Sequence, residues 1–496
     1  MADQFDLIIR NAAIYDGTGA APFAGDVAIR DDRIAAMGTV TGAGRAIDAR
    51  GLAISPGFID VHSHDDFAVF IEPEMDFKVM QGVTTDVVGN CGLGAAPYAA
   101  AHAVFRAFHS DPKVPAWEGY RGYFEALDRE PASLNVAVLA GHGSIRLSAM
   151  GNAKRAPSGD ELAAMRGTTR EAIEAGAVGL STGLIYEPGR YARTEEIIEL
   201  AREMAGTGAV YASHMRNEAN ELLDSVHETI RIGAEAEVPV QISHHKASGQ
   251  GNWGRVRDSL KLIEQARARG QDVTADQYPY TSGSTSLAAV LQIAASGGHG
   301  SEGELAGIGP EKILLASVPH HPGYEGRNLK QLALMLGLEP MGAARRIVEE
   351  EGNGAIAVFE VMDETDVRTV MSHPTTMIGS DGLPMGGKPH PRLYGCFPRV
   401  LGRYGRDLGL LKIEEAIHRM TGMPAGKFRL ADRGVVRAGA FADLVVFDPA
   451  TIIDTATYDD PRRYPKGVVH VFVNGTAVVS DGKHNGARPG RALRRG

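Results

Sequence analysis

Residues 55–64 read SPGFIDVHSH, and this stretch decides how the rest of the chain is interpreted. The letters FIDV are largely apolar and favour extended structure, so they are predicted to form a buried strand. His62 and His64 follow at its end, and alternate residues of a strand share one face. A single histidine is more often a satisfied polar group, but this pair suits one metal ion whose other ligands must come from elsewhere in the chain.

Composition argues against several classes of protein. The 496 residues include 51 basic and 61 acidic side chains, which gives a net charge of −10 with the two signs mixed. This argues against nucleic acid or an anionic membrane as a partner, and no apolar run reaches the ~18 residues of a membrane span. The start, MADQFDLIIRNA, does not resemble a signal peptide. The two cysteines, Cys91 and Cys396, predict no disulfide framework and a cytoplasmic location.

Both ends of the chain are rich in short, alternating strand patterns. Residues 1–54 contain FDLIIRNAAIYD and GDVAIRDDRIAAMG, and residues 431–484 contain FADLVVFDPATI and VVHVFVNGTAVVSDG. Gly and Asp turn signals separate the runs, so the two ends are predicted to pair as one small β-sandwich domain. Residues 485–496, which are rich in Gly and Arg, are predicted to form a flexible tail.

Residues 55–430 alternate strand-like and helical patterns. Eight units, each a strand followed by a helix, are the pattern expected of a TIM-type (β/α)8 barrel. An overlong connection at about residues 285–370 contains two helical patterns, RNLKQLALMLG and MGAARRIVEEE, and is predicted to be an inserted subdomain over the barrel mouth. The eight apolar runs are FIDVHSH, GVTTDVVGNC, NVAVLAGHG, AVGLSTGL, AVYASHM, VPVQISHHK, DVTADQYPY and TTMIGSDG.

Polar side chains collect at the carboxyl ends of these runs, which form the catalytic face of such a barrel. Neutral imidazole is a common zinc ligand, and a catalytic zinc site has three protein ligands and one open position. The side chains in question are those of His62, His64, Cys91, His142, His214, His244 and Asp381.

Three of these residues allow more than one interpretation. Cys91 is compatible with a buried small apolar residue or a nucleophile, but its place beside several histidines favours a zinc-bound thiolate. Asp381, in MIGSDG, is compatible with a turn residue before glycine, but the metal site otherwise lacks a proton acceptor. His142, in AGHGSIR, is equally compatible with a substrate contact and a structural role.

An anionic substrate would need cationic and hydroxyl groups near the metal. Lys246, Tyr278, Tyr280 and Arg392 are candidates for this role, and the planar guanidinium of arginine suits bidentate carboxylate binding. Each of them is also compatible with an ordinary solvated or interfacial side chain.

Several segments together resemble the N-acyl-D-amino-acid deacylases, or D-aminoacylases, of the amidohydrolase superfamily. The resemblance covers nearly the whole chain and implies zinc-dependent hydrolysis of the amide bond of small N-acyl-D-amino acids. It also implies a (β/α)8 barrel with a small β domain and an insertion before the last strand. The segments are PGFIDVHSHDD, GVTTDVVGNCG, NVAVLAGHGSIR, GAVGLSTGLIYEPG, YASHMRNE, QISHHKASG, DQYPYTSGSTSL, and GSDG followed by HPRLYGCFPRVL.

The same resemblance implies roles for individual residues. Zn²⁺ would be held tightly by Cys91, His214 and His244, with a second, weaker metal position at His62 and His64. Asp381 would act as general base and then general acid. The substrate contacts would be Lys246, Tyr278 and Arg392 on the α-carboxylate, together with Tyr186 and His142.

Two alternatives stay open. One is another enzyme of the same superfamily that acts on a cyclic amide or a dipeptide; such enzymes commonly bridge two metals with a carboxylated lysine, where the resemblance places Cys91. The other is a catalytically inactive scaffold, against which the intact set of ligands argues. The sequence identifies neither the preferred side chain and acyl group nor the oligomeric state.

Overall fold

The computed structural model describes residues 4–106, 114–295 and 308–495. Within these ranges the first strands form one half of a small β domain, in which β1 pairs with β2, β4 and β5. The Gly and Asp turn signals of the sequence separate them, as predicted. These strands are β1 (Gln4–Ile14), β2 (Phe23–Arg30), β3 (Arg33–Gly38), β4 (Ala43–Asp48) and β5 (Ala53–Pro56).

The next seven strands are parallel, and each of the first six pairs with the strand that follows it in the chain. Every one coincides with an apolar run of the sequence, which confirms those strand predictions. The strands are β6 (Phe58–Asp60), β7 (Val83–Val88), β8 (Asn135–Gly141), β9 (Gly179–Gly183), β10 (Val210–His214), β11 (Val240–Ile242) and β12 (Val273–Gln277).

An insertion separates the seventh barrel strand from the eighth. It contains a three-stranded antiparallel sheet in the order β13-β15-β14, which was not predicted, and two helices at the positions that were. The Gly-rich stretch LQIAASGGHGSEGELAGIG lies here, and its residues 296–307 fall outside the described ranges. The strands are β13 (Ser282–Ser286), β14 (Ile313–Ser317) and β15 (Ile356–Glu360), followed by the eighth barrel strand, β16 (Thr376–Ile378).

Closure of the barrel depends on a short contact between its first and last strands. β16 pairs with β12, and a parallel bridge joins Ser63, just after β6, to Gly382, just after β16. The TIM-type barrel is therefore confirmed. The bridge also places the HxH segment directly beside Asp381.

Helices follow most of the barrel strands and cover their outer faces. The helix α6 begins with a capping box, because Ser158 Oγ accepts from the Glu161 amide while the Glu161 carboxylate accepts from the Ser158 amide. The helices are α1 (Ala68–Ile71), α2 (Asp76–Val79), α3 (Tyr98–Phe105), α4 (Gly119–Arg129), α5 (His142–Met150), α6 (Gly159–Ala175), α7 (Thr194–Ala201), α8 (Leu222–Ala236), α9 (Val256–Ala268), α10 (Leu287–Ala295), α11 (Leu329–Leu336), α12 (Pro340–Glu351), α13 (Glu364–Ser372), α14 (Arg392–Arg399), α15 (Ile413–Met420) and α16 (Gly422–Lys427).

The small β domain is completed by strands from the far end of the chain. β17 pairs antiparallel with β5, so segments almost 400 positions apart share one nine-stranded sheet. Ile14 and Ile54 pack against Leu444 and Phe472 in its buried apolar cluster. The strands are β17 (Leu444–Phe447), β18 (Val468–Val473), β19 (Thr476–Ser480) and β20 (Lys483–His484). The small domain is thus confirmed, and the limits at residues 54, 430 and 484 stay a prediction.

The prediction of a flexible tail at residues 485–496 is wrong for the described part of that segment. A last strand, β21 (Ala492–Leu493), pairs in parallel with barrel strand β8. The amide of Val136 donates to the carbonyl of Arg491, and Gly490 donates to Ala132. The Gly- and Arg-rich composition suggested a loose tail, but the backbone of the tail satisfies the open edge of β8.

The barrel interior contains one buried apolar cluster. Ile59, Leu139, Val210 and Met377 come from four different strands and form one buried cluster with Phe428, which follows α16. This leaves the carboxyl ends of the strands free for polar groups. No helix in the described part of the chain is both long enough and apolar enough to cross a membrane.

Candidate metal centre

The carboxyl ends of the barrel strands bring one thiol and several imidazoles together. Cys91 Sγ lies 3.3 Å from His62 Nε2, 3.6 Å from His214 Nδ1 and 3.6 Å from His244 Nε2. His64 stands beside this group, with its Nε2 3.1 Å from Asp381 Oδ1. All five predicted metal ligands therefore lie in one continuous cluster.

The spacing in this cluster fits a zinc ion. Zinc bonds of about 2.3 Å to sulfur and about 2.0–2.1 Å to nitrogen, in tetrahedral geometry, place the two ligand atoms roughly 3.5 Å apart. The three distances from Cys91 Sγ span that value. Burial opposes the thiolate, yet the surrounding imidazoles, His62 foremost, hold the pKa of Cys91 well below its usual value. The donor set therefore suits a divalent metal that accepts both thiolate and imidazole.

The ligating atoms form overlapping groups rather than two separate sites. His62 belongs both to a group with Cys91 and His244 and to a group with His64 and Asp381. A third group joins His214, His244 and Glu218. His62 thus lies between the two metal positions that the family resemblance implies.

Three residues of the cluster have a backbone conformation that side chains rarely adopt. Cys91, His244 and Asp381 have φ values of 53°, 34° and 49°. A non-glycine residue in this region carries a conformational cost, and such residues concentrate at functional sites because the surrounding fold must hold them there. The strain supports a functional role for these residues independently of any family likeness.

Close approach of two backbones positions Cys91. It lies in the 3-10 turn Asn90–Gly92 after β7, and this turn sits against the end of β9. A Cβ atom at Gly183 would lie 2.2 Å from the Cys91 carbonyl oxygen. The glycine is therefore needed there, because any side chain would push the thiol away from the imidazoles.

Asp381 is held between a histidine and an arginine. Its Oδ1 faces His64, and its Oδ2 lies 2.9 Å from Nη1 of Arg392. Burial opposes ionisation of this carboxyl, but Arg392 together with the imidazoles of His244, His64 and His62 outweighs burial and holds the pKa of Asp381 well below its usual range. Asp381 is therefore ionised at neutral pH, which is the form that a proton acceptor requires.

The structure adds Glu218, which the sequence reasoning missed. Its Oε1 lies 2.6 Å from Lys246 Nζ and 3.0 Å from His244 Nδ1. A histidine that binds metal through Nε2 must carry its proton on Nδ1, so Glu218 is the acceptor that fixes this tautomer. Burial opposes ionisation of Glu218, yet Lys246 and the imidazoles of His214 and His244 hold its pKa well below its usual value.

Two further aspartates hold the metal ligands in position by accepting hydrogen bonds from the backbone around them. Asp276 Oδ1 accepts from the His244 amide at 2.7 Å and lies 3.2 Å from His62 Nδ1. Asp60 accepts from the amides of His62 and Ser380, which ties the end of β6 to the end of β16. Both aspartates lie within the quoted apolar runs, where alternation alone could not identify them as supporting groups.

Lys78 explains how Asp60 can be buried. Its Nζ lies 2.6 Å from Asp60 and 3.1 Å from Asp65, and it donates to Ser380 Oγ at 3.0 Å. Both carboxylates and the ammonium are fully buried. Because an unpaired charge at this depth would be strongly destabilising, Lys78, Asp60 and Asp65 must stay paired. This group of charges therefore holds Asp60 in a fixed position beneath the candidate site.

A cavity of about 470 Å³ opens above the cluster. Nine residues discussed above or predicted as substrate contacts line it, which places the candidate metal centre at the bottom of a pocket of ligand-binding size. They are His64, Cys91, Tyr186, His214, Glu218, His244, Lys246, Tyr278 and Asp381.

Not every predicted site residue reaches this cavity. His62 and Arg392 are fully buried behind it, and Arg392 stacks 4.4 Å from the centre of the Tyr278 ring. His142 is also fully buried, with its Nε2 2.9 Å from Glu196. The structure therefore places His142 in a buried contact with Glu196 and not with the described residues that line the cavity.

We expect Glu218→Gln to weaken zinc binding by about 10- to 100-fold, because groups that orient a metal-bound histidine typically contribute that much to affinity. The measurement is competition for zinc against a chromophoric chelator. Glu221→Gln, an exposed change on the same loop, is the matched control and should leave affinity unaltered. Equal zinc affinity in the wild type and Glu218→Gln would remove Glu218 from this role.

The fold and the site together define a class. A parallel eight-stranded barrel with thiolate, imidazole and carboxylate groups at the carboxyl ends of its strands is the arrangement of metal-dependent barrel hydrolases. Residues 45–479 match the model of the amidohydrolase family. The chain belongs to this family.

Full-length relatives are similar throughout. The D-aminoacylase of Alcaligenes xylosoxydans xylosoxydans is 42% identical, covering 100% of this chain and 98% of that protein. The N-acyl-D-glutamate deacylase of the same organism is 41% identical, with 100% and 98% coverage. Among solved structures, this chain is similar to the N-acyl-D-glutamate deacylase of Bordetella bronchiseptica. That structure was solved in complex with zinc and a phosphonate inhibitor that mimics the tetrahedral intermediate. The two align with a TM-score of 0.89 at 40% identity, covering 99% of this chain and 100% of that one.

Proposed function

We propose that this protein is a zinc-dependent deacylase that hydrolyses the amide bond of N-acyl-D-amino acids to a carboxylate and a D-amino acid. One observation carries the proposal: Cys91 Sγ lies within 3.6 Å of three imidazole nitrogens at the floor of a cavity that Asp381 also lines. Metal use and the deacylase activity of full-length relatives support it.

The metal ligands are proposed to be those that the sequence indicated. Cys91, His214 and His244 hold the tight position, and His62 with His64 forms the weaker one. When bound, zinc supplies the positive charge that polarises the acyl carbonyl and acidifies a water molecule. The identity of the metal as zinc fits the mixed sulfur and nitrogen donors.

Asp381 carries the proton transfers. Its ionised carboxylate accepts a proton from the attacking water as the water adds to the acyl carbon. The same carboxyl then donates that proton to the amine as the carbon–nitrogen bond breaks. His64 on Oδ1 and Arg392 on Oδ2 fix the orientation of the carboxylate between these two tasks.

Lys246 and Tyr278 are proposed to receive the α-carboxylate of the substrate. The Lys246 ammonium has three donors and uses one on Glu218. It donates none to His244 Nδ1, because that nitrogen must keep its own proton. Lys246 and Tyr278 both line the cavity. Arg392, behind the Tyr278 ring, contributes positive charge to this end of the site, while Tyr186 covers His214 with a ring-to-ring distance of 4.8 Å.

A substrate panel tests the proposal. We expect the zinc-loaded protein to hydrolyse N-acetyl-D-amino acids with kcat/KM at least about 100-fold above that for the L enantiomers, because enantiomers cannot both align the amide and the carboxylate with fixed partners. The metal-free protein is the control. Hydrolysis of a cyclic amide or a dipeptide instead would support the alternative within the family, and no hydrolysis of any amide would support the inactive scaffold. A cytoplasmic location stays a prediction.

A further inference from the structure

The cavity above the metal centre has two apolar walls that the catalytic residues do not use. The first, here called the acyl wall, consists of Phe67, Ala101, Val104, Phe105 and Leu147. The second, here called the side-chain wall, consists of Ala289, Val290, Ile356, Phe359 and Val361. An apolar lining of this extent attracts ligands that carry apolar groups of matching size.

The acyl wall stands on the segments that follow β6, β7 and β8, whereas the side-chain wall belongs to the insertion after β12, so the two walls lie on different sides of the barrel mouth. Phe67 follows His64 by three residues and stacks on Phe105 with ring centroids 4.3 Å apart, so the acyl wall adjoins the HxH segment. The side-chain wall adjoins Tyr278, because a Cβ atom at Gly283 would lie 3.5 Å from both the Tyr278 hydroxyl and the Phe359 ring.

A substrate can be oriented in this cavity by its carboxylate. If the carboxylate is bound at Lys246 and Tyr278, the amino acid's α-carbon lies on that side of the metal, and its side chain meets the side-chain wall. The acyl group then extends in the other direction, toward the acyl wall. This orientation rests on the proposed deacylase function.

The charges around the cavity set a second condition on which substrates can bind. Four carboxylate residues line it among the described residues: Asp66, Glu187, Glu218 and Asp381. The one Lys or Arg side chain among the described lining residues is Lys246, which is already paired with Glu218 and is assigned to the α-carboxylate. A second carboxylate on the substrate would therefore lie against an apolar wall with no cation to receive it, which is strongly unfavourable.

We propose that the preferred substrates are N-acyl-D-amino acids with an uncharged apolar side chain and a medium-length or bulky apolar acyl group. A cavity of about 470 Å³ lies in the range that accepts drug-sized ligands. An N-acetyl amino acid is considerably smaller and leaves the acyl wall largely uncovered. Acidic D-amino acids, which the names of two full-length relatives specify, are excluded by the charge balance.

The decisive experiment is an acyl series on the zinc-loaded, full-length protein. For N-acetyl-, N-butanoyl-, N-hexanoyl- and N-octanoyl-D-methionine, each methylene buried on the acyl wall should raise kcat/KM by about 3- to 4-fold until the wall is covered. We expect the octanoyl substrate to exceed the acetyl substrate by at least about tenfold. N-acetyl-D-glutamate should be hydrolysed at least about 100-fold less efficiently than N-acetyl-D-methionine.

Two variants and one control test the two walls separately. Leu147→Trp fills the acyl wall and should reduce the octanoyl-to-acetyl ratio to about 1, while Leu334→Trp, on a side chain that is 79% exposed on α11, should leave the ratio as in the wild type. Phe359→Ala removes contact from the other wall and should lower the preference for D-phenylalanine over D-alanine substrates by about tenfold, without changing the acyl series.

The outcomes distinguish this inference from the proposed function. A flat or falling acyl series, or preference for N-acetyl-D-glutamate, overturns the inference while deacylation itself stands. Failure to hydrolyse any N-acyl-D-amino acid overturns the proposed function. A rising series that Leu147→Trp abolishes and Leu334→Trp preserves supports the assignment of the acyl wall.

Discussion

Replacing Cys91 by alanine is expected to remove most of the bound zinc and to lower kcat to below about one-thousandth of the wild-type value. The thiolate is the one sulfur ligand and stands within 3.6 Å of three imidazoles, so its loss leaves no tetrahedral set around the tight position. The charge that the metal contributes to the transition state is worth several kcal/mol. Metal content by mass spectrometry and turnover of an N-acetyl-D-amino acid measure the two effects.

The other cysteine provides the matched control. Cys396 is buried like Cys91, but its Sγ faces the Gly379 carbonyl at 3.7 Å and, among the described residues, contacts no imidazole. Cys396→Ala should therefore keep full zinc occupancy and lose only stability from the small void. Full occupancy in Cys91→Ala would remove this residue from the ligand set, and the same test applies to His214→Ala and His244→Ala.

Asp381→Asn should lower kcat by about 100-fold or more while zinc stays bound in the tight position. Asparagine keeps the shape of the side chain but cannot accept and return the proton. The change also leaves the buried Arg392 without its carboxylate partner, so a lower thermal midpoint is expected together with the loss of turnover. Steady-state kinetics, zinc content and thermal unfolding measure these three effects separately.

A second arginine–carboxylate pair shows whether the loss is catalytic. Asp454 lies 2.9 Å from Arg399, and its side chain is 7% exposed, yet neither residue lines the cavity among the described residues. Asp454→Asn should lower the thermal midpoint and leave kcat close to that of the wild type. If Asp381→Asn and Asp454→Asn reduced kcat equally, the effect would belong to the ion pairs and not to proton transfer.

Much of the barrel could be predicted because its strands are continuous apolar runs that end in polar residues. The sheet of the insertion was harder to predict, because the sequence SGSTS in β13 has no apolar pattern. It forms a strand through its pairing with β15. The docked tail was missed for a related reason. Backbone hydrogen bonds to β8 do not depend on side-chain pattern, so composition could not reveal them.

The ligands could be predicted, but their supports could not. Each ligand ends a recognisable strand, whereas Glu218 acquires its role through contact with His244 and Lys246, which lie 26 and 28 positions further along the chain. Arg392 shows the same limit in another way. The family resemblance assigned it to the substrate, and only the folded arrangement reveals that its guanidinium pairs with Asp381.

The pairing of β5 with β17 has a consequence during translation. β5 ends at Pro56, and its partner begins at Leu444. At about 5–20 residues per second, the ribosome takes on the order of tens of seconds to synthesise the intervening chain. Throughout that time Ile14 and Ile54 lack Leu444 and Phe472, which pack against them in the finished protein. The nascent polypeptide therefore presents an uncovered apolar surface until the last strands emerge.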